Sequence, residues 1–482
     1  MAGESTAQPS TWRAGAAEID VTPPIGAVLA GYAHRTGGST HIIDPLKAQC
    51  LVLQDGTDSH CALLTVDILG IAADVVREAR HLISEQSGIP PERVLIACTH
   101  THAGPAGPRG AFSDEGFLPT LPQRLAGLVR GALHNLRPAR LAAGVGACDT
   151  VQLNRRDVHG PIDPEVAAVG VQDAETGALI AALINFACHP TILSGSQLGI
   201  SPDWPGAARA TVRTLCGPEA VVLCTNGACA DINPTKLTED PAEVRRVGTI
   251  VGATAARVLE ELRALHGRAI VHASGLEPPG SPLGWGSAEK PAGAGAIRLD
   301  SAAIAASSRS VTLPMRAIPD RAQTEARITE ARQQLEGLAR EDPERRRQRF
   351  LLMRLQFERD RGPRPAGARE AEVQAICIGA AGCAAQSRGL HLGARLCLIT
   401  APGELFVEIG LGVKRALAAA GAFPIVVGYA NAAEGYLPTD DAFDWHGYEV
   451  GVSPFDRGTE PALRAAMLSA AAEALGHPLP AQ

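Results

Sequence analysis

Residues 94–105 read Val-Leu-Ile-Ala-Cys-Thr-His-Thr-His-Ala-Gly-Pro. Five apolar residues, Val94 to Cys98, run straight into a loop of small and polar ones. A short apolar run that ends at Gly and Pro has the signature of a buried strand. The pattern returns in ALIAALINFAC (178–188) before His189, in AVVLC (220–224) before Asp231-Ile232-Asn233-Pro234, in LCLIT (396–400) before Pro402-Gly403-Glu404, and in IVVGY (425–429) before Tyr436. Amphipathic, helix-like stretches separate these runs at 72–86, 121–136, 205–215, 241–265, 404–420 and 459–475, the last with Thr459 as its N-cap. Strands alternating with helices predict an α/β fold, a layered mixed sheet core with flanking helices. In such folds sites form beyond the carboxyl ends of the strands, where all five polar loops fall.

Composition narrows the function. The chain has 482 residues, 45% hydrophobic and 20% charged, with a net charge of −7. Such a chain can bury a large core, and it lacks the basic excess of a nucleic-acid or anionic-membrane binder. No run of about 20 apolar residues is free of charges, so membrane insertion is not expected. The 11 cysteines are an odd number, several of them inside apolar runs (Cys50, Cys98, Cys224, Cys397). They read as buried reduced thiols and, with a polar start that carries no export signal, predict a cytoplasmic location. The expected organisation is a polar tail over 1–12 and one α/β domain over 13–478. A charged helical excursion at 321–361 breaks near Asp342-Pro343, and 275–295 reads as a Gly/Pro-rich surface loop. A solvated helical hairpin without chemistry is the simplest reading of the excursion.

Three of the 14 histidines end a strand-like run: His100, His102 and His189. Two residues apart on extended chain, His100 and His102 share a side, roughly 7 Å apart along the backbone. Glu404 ends another run. Imidazole nitrogen with carboxylate oxygen suits Zn²⁺. The alternatives are hydrogen-bonded structural histidines and, for Glu404, an acid at a helix N-terminus. Tyr429, Tyr436 and Tyr448, three of only four tyrosines, fall near Phe443, Trp445 and Phe455, which reads either as a pocket lining or as a small local core. There is no GxSxG elbow, P-loop or dinucleotide fingerprint. Cys229 is a thiol that could act as a nucleophile or lie buried and inert. Asp203 and Asp231 read equally as acids behind the site or as helix caps.

Taken in order, AAEIDVTPPIG (16–26), Ala30-Gly31-Tyr32, Asp44-Pro45-Leu46, THTHAGP (99–105), Asn154-Arg155, ACHPT (187–191), ADINP (230–234), PGE (402–404) and GY…EGYLPT (428–439) resemble the catalytic domain of the neutral/alkaline ceramidase family over nearly the whole chain. The resemblance implies an α/β fold with one catalytic zinc, held by His100, His189, Glu404 and Tyr436. It also implies that His102, Arg155 and Tyr448 face the substrate carbonyl and its leaving group; Arg155 would otherwise pass for a surface arginine. Three departures stand out. Asn233 occupies the place of the family's serine, no C-terminal β-sandwich is expected, and no export signal is visible.

Together these features predict a zinc-dependent amidohydrolase acting on a small or N-acylated linear amide. His102 would transfer protons, Arg155 and Tyr448 would stabilise the oxyanion, and Asn233 would bind substrate or orient a ligand. The expected partner is a small-molecule amide, with homo-oligomer formation left open. The competing readings are an ester or lactone hydrolase, an amide-forming cyclase or acyltransferase on the same site, and a non-catalytic zinc-containing binding protein.

Overall fold

The computed structural model describes residues 12–32, 34–105, 118–267, 296–299, 302–339, 341–379, 385–387, 390–392, 395–445 and 447–479. The expected polar tail up to residue 11 and the loop at 275–295 lie outside the described residues. The layered α/β expectation holds, with two sheets where the sequence suggested one core. The larger sheet runs Val221–Asn226, Leu179–Phe186, Glu165–Asp173, Arg137–Ala147, Arg13–Asp20, Lys47–Gln54, His60–Val66 and Val94–Cys98, and short strands extend it beside Arg137–Ala147. It is mixed: along this run only the two end pairs are parallel, and the side strands Ala296–Arg298 and Leu390–Leu392 form a further parallel pair. The smaller sheet runs Ile304–Met315, Gly367–Ile378, Leu396–Thr400 and Phe423–Val427, with the last pair parallel.

Alternation along each strand decides which layer a side chain joins. Leu51, Leu53, Leu63 and Leu95 point inward and meet Ile376, Ile378, Leu398 and Ile425 of the smaller sheet. Their neighbours Cys50, Val52, Leu64 and Ile96 point outward to the helices Ala73–Ser87 and Leu121–His134. The helices Trp204–Cys216 and Pro241–Gly267 cover the rest of that face. Cys377, Cys397, Ile399 and Val426 do the same on the smaller sheet, under Val407–Ala419 and Thr459–Leu475. The result is four layers, helix–sheet–sheet–helix. It explains the unbroken apolar runs: Val94–Cys98, Leu179–Phe186, Val221–Asn226 and Leu396–Thr400 are covered on both faces. The ten described cysteines are free and buried in these layers.

Two local expectations change. Thr459 is the first helical residue and not the cap; Gly458 caps the helix with φ 90°, a left-handed position that suits glycine. Glu404 lies ahead of its helix, in a two-residue strand paired with Tyr436-Leu437, so it is not a helix N-terminal acid. The charged excursion is the expected pair of helices, Arg321–Gly337 and Pro343–Arg361, with Asp342 capping the second. No described helix is long and apolar enough to cross a membrane.

The two sheets are stitched together at one end. Ile96 and Cys98 of the larger sheet exchange backbone hydrogen bonds with Tyr429 and Asn431, which follow the last strand of the smaller one. The Asn431 side chain accepts from the Ile96 amide and donates to Gln374. Beside this seam Arg209 grips the fully buried Asp67 with two nitrogens, at 2.9 and 2.5 Å, and Thr99 also donates to that carboxylate. Asp67→Ala leaves the Arg209 charge buried without a partner. It is expected to cost about 3–5 kcal/mol in urea unfolding; an unchanged midpoint would show that the pair does not hold the seam.

Candidate functional site

The five polar loops meet at the stitched end. The chain leaves Val94–Cys98 through Thr99 and turns sharply at His100, whose φ is 65°. Among the described residues, five non-glycines have positive φ, and four of them (His100, Asp203, Tyr429, Asn431) lie in these loops. Strain held this way is characteristic of sites fixed by surrounding structure. It also changes the histidine geometry: because His100 is not extended, His100 and His102 do not simply project side by side. Their Nε2 atoms lie 3.2 Å apart.

Two backbone carbonyls set the ring orientations. His100 Nδ1 lies 2.6 Å from the Leu69 carbonyl oxygen, and His189 Nδ1 lies 2.5 Å from that of Cys229. A carbonyl only accepts, so both Nδ1 atoms carry the proton and donate. With Nδ1 so engaged, each ring turns its Nε2 toward the centre of the site. His189 Nε2 is 3.2 Å from Glu404 Oε2, and His100 Nε2 is 3.5 Å from the same oxygen. Burial pushes His189 down to about 4, so its ring is neutral near pH 7. Burial opposes ionisation of Glu404 too, but His100 and His189 outweigh it and hold the carboxyl well below its usual range. The Nε2 atoms of His100 and His189 thus converge on one oxygen of Glu404, an arrangement of donors that a small cation stabilises. His100, His102 and His189 also form a cluster whose ligand atoms lie within 4.8 Å of one another. The donor chemistry of imidazole nitrogen with carboxylate oxygen fits zinc.

His102 differs from the other two. Its Nδ1 is buried without a hydrogen-bond partner, and burial, then His100, drives its pKa well below the ordinary value. Glycine is required in front of it: a Cβ on Gly31, whose φ is +92°, would lie 2.4 Å from the ring. Tyr32 meets the ring edge-on and donates its hydroxyl toward the carbonyls of Thr191 and Leu193. Tyr429 is buried behind the site, stacked on His100 at 3.9 Å with its hydroxyl 3.2 Å from Cys229 Sγ. Burial raises the Cys229 thiol far above its usual range, which fits an inert packing residue.

Arg155 is no surface arginine. Its Nη2 donates to the Tyr436 hydroxyl at 3.2 Å, its Nη1 to Asn233 Oδ1 at 3.1 Å, and its Nε to Glu449 at 2.7 Å. The neighbouring Arg156 binds the other oxygen of Glu449. Glu449 and Tyr32 are members of the site region to which the sequence reading gave no role. Nothing marks Glu449 in the sequence beyond following Tyr448, because the contact spans 294 positions. Asp231 and Asp203 act as caps. Asp231 accepts from Val407 at the start of its helix, and Asp203 from Trp204. The Asp231 carbonyl also accepts from the Arg155 amide.

The aromatic segment divides. Tyr436 and Tyr448 meet edge-on, 5.8 Å between centroids, and Arg155 lies over both rings. Phe455 is core. Phe443 stacks under Arg316 and Arg457. The Trp445 side chain lies outside the described residues. An open cavity of about 1020 Å³ reaches Gly31, Tyr32, Leu69, Glu404, Tyr436 and Tyr448. The excursion contributes to it after all: Phe357 and Arg361 line it, as does Arg364 just beyond.

No protein-family model matches the sequence. The neutral ceramidase of Pseudomonas aeruginosa is 27% identical over 220 residues, 41% of this chain and 33% of that protein, so the match spans about a third of the curated relative. A crystal structure of neutral ceramidase from Pseudomonas aeruginosa superposes with a TM-score of 0.67 at 19% identity, covering 98% of this chain and 76% of that one. A structure of ceramidase complexed with C2 gives 0.67 at 18%, covering 98% and 77%. In fold the chain is neutral ceramidase-like, as its motifs suggested.

Gly31→Ala is expected to leave the layers intact and push the His102 ring away. A crystal structure of the variant should show a longer His100–His102 Nε2 separation. An unmoved ring would mean that the loop yields first.

Proposed function

We propose that this protein is a zinc-dependent hydrolase of carbon–nitrogen amide bonds, acting on linear N-acyl substrates. The observation that carries the reading is the convergence of His100 Nε2, His189 Nε2 and Glu404 Oε2 on one point, with both imidazoles held by backbone carbonyls. A hydrogen bond to the far nitrogen is typical of metal-binding histidines. The likeness to neutral ceramidase supports an amide substrate.

His100, His189 and Glu404 would hold the ion, with Tyr436 as fourth ligand. Register favours Tyr436, since it pairs directly with Glu404, and Arg155 donates to its phenol oxygen. A zinc ion there supplies Lewis acidity and lowers the pKa of a water molecule. His102 is assigned to proton transfer because no partner fixes its Nδ1, unlike those of His100 and His189. It takes a proton from the attacking water and delivers it to the leaving nitrogen. Arg155 and Tyr448 donate to the carbonyl oxygen as it gains negative charge. Asn233 keeps Arg155 aimed and offers no hydroxyl, so the attacking group is water.

His100→Ala and His189→Ala are each expected to reduce bound zinc from about one ion per chain to a trace, measured by elemental analysis of the purified protein. Hydrolysis of N-acyl amides should disappear with it. Full zinc with no turnover of amides, esters or lactones by the wild type would instead favour a binding protein. Arg155→Lys keeps the charge but loses the fork that spans Tyr436, Asn233 and Glu449. It should retain zinc and lower kcat by about 10²-fold; an unchanged kcat would remove Arg155 from the oxyanion role.

A further inference from the structure

The cavity is strongly cationic away from the zinc donors. Its described lining carries Arg35, Arg361, Arg364 and Arg369, against two carboxylates, Glu404 and Glu434. Glu404 belongs to the donor set. Glu434 is paired with Arg369 at 2.7 Å. Glu358, the acid that acts on Arg361 and Arg364, is buried and shared among Arg316, Arg327 and Arg354 at 3.5 to 3.9 Å, so its charge is already divided. Arg361 is exposed at the cavity rim and Arg364 half-buried; partial desolvation and then a neighbouring guanidinium shift both below their usual values. Positive charge here is crowded and under-neutralised.

These arginines keep donors free. Arg361 spends Nη1 on the Val452 carbonyl, and Arg364 spends Nε and Nη2 on the carbonyls of Arg316 and Pro454. Arg369 uses Nη1 on Glu434. The remaining guanidinium nitrogens of Arg361 and Arg369, and Nη1 of Arg364, have no bond among the described residues. Arg361 and Tyr448 line the same cavity, and Tyr448 abuts Tyr436. The cationic wall thus adjoins the proposed reaction centre. Val28, Leu29, Phe357 and Val452 supply apolar surface on the same walls. A concave, low-dielectric wall of one charge sign concentrates ligands of the other, and guanidinium forks match oxyanions.

We propose that the substrate is an amide carrying an oxyanion, a carboxylate or a phosphate, on the part remote from the scissile bond, and that Arg361, Arg364 and Arg369 receive it. This rests on the amide-hydrolase reading above and extends it to substrate class. The three arginines are specificity residues and take no part in the bond-breaking step.

The zinc-loaded wild type is assayed with two matched pairs. Glutaryl-p-nitroanilide and butyryl-p-nitroanilide differ in charge on the acyl half; N-benzoylglycine and N-benzoylglycinamide differ on the amine half. The expected result is a kcat/KM ratio of at least about tenfold, 1.4 kcal/mol, in favour of the anion in one pair, which identifies the half that carries it. Ratios within about twofold in both pairs overturn the proposal while leaving amide hydrolysis standing. Arg361→Gln and Arg369→Gln should each cut the favoured ratio at least about fivefold, and Arg361→Lys should restore part of it. A ratio unmoved in both Gln variants also overturns it. Should a variant fail to fold, the wild-type ratios decide. Calorimetric titration with glutarate and with propyl phosphate tells the oxyanions apart by which binds more tightly, and binding of neither counts against the site. If no amide is cleaved yet glutarate binds and Arg361→Gln abolishes that binding, the hydrolase reading fails and the anion site stands.

Discussion

Two main-chain carbonyl oxygens, those of Leu69 and Cys229, govern this site. Neither is chemically special, yet each compels an imidazole to donate from Nδ1 and leaves the Nε2 lone pair for the cavity. The loops that carry them therefore define the chemistry as firmly as the histidines do. Leu69 follows the strand His60–Val66, and its loop is tied back through the amide of His100, which donates to the Ile68 carbonyl. Cys229 follows Val221–Asn226, and its loop is pinned by the His189 amide, which donates to Ile232. Each histidine thus holds the segment that orients its own ring, and Asn226, which donates to the Thr99 carbonyl, links the two loops into one unit.

That unit exists because two sheets end at the same level. Strands of the larger sheet bring His100, His102, His189 and Asn233, and strands of the smaller sheet bring Glu404, Tyr429 and Tyr436. The seam at Ile96, Cys98, Tyr429 and Asn431 crosses from one to the other. It adds directional bonds, at the level of the carboxylate and the imidazoles, to the apolar packing between the layers. Arg155 and Glu449 add a second bridge across 294 positions and bring Arg155 against Tyr436 and Asn233.

Much of this was readable from sequence, for a physical reason. A strand buried on both faces leaves an uninterrupted apolar run, and a loop that must hold polar groups at its end cannot continue it. VLIAC before Thr99-His100 and LCLIT before Glu404 are such boundaries, so the layers and the meeting of His100, His102, His189 and Glu404 could be read from pattern and motif. The division into two sheets could not, because apolar runs look alike whichever sheet receives them. The position of Glu404 was blurred by its closeness to a helix; only pairing with Tyr436 shows it lies outside. The orientation of His102 depended on the left-handed turn at His100, for which a histidine gives no signal. Glu449 and the arginine wall escaped for a simpler reason: their partners are far away in the chain, and a charged helix has the same composition whether it faces solvent or a cavity.

The helical pair at 321–361 is inserted between the second strand of the smaller sheet, Gly367–Ile378, and the first, Ile304–Met315, which are already neighbours. The cavity therefore has walls of two origins: loops at the strand ends, which supply Glu404 and Tyr436, and an insertion between two neighbouring strands, which supplies Phe357 and Arg361. The carbonyls that orient His100 and His189 belong to the first group alone. A change confined to the insertion would therefore reshape the mouth that a ligand meets while leaving the ring tethers at its base untouched.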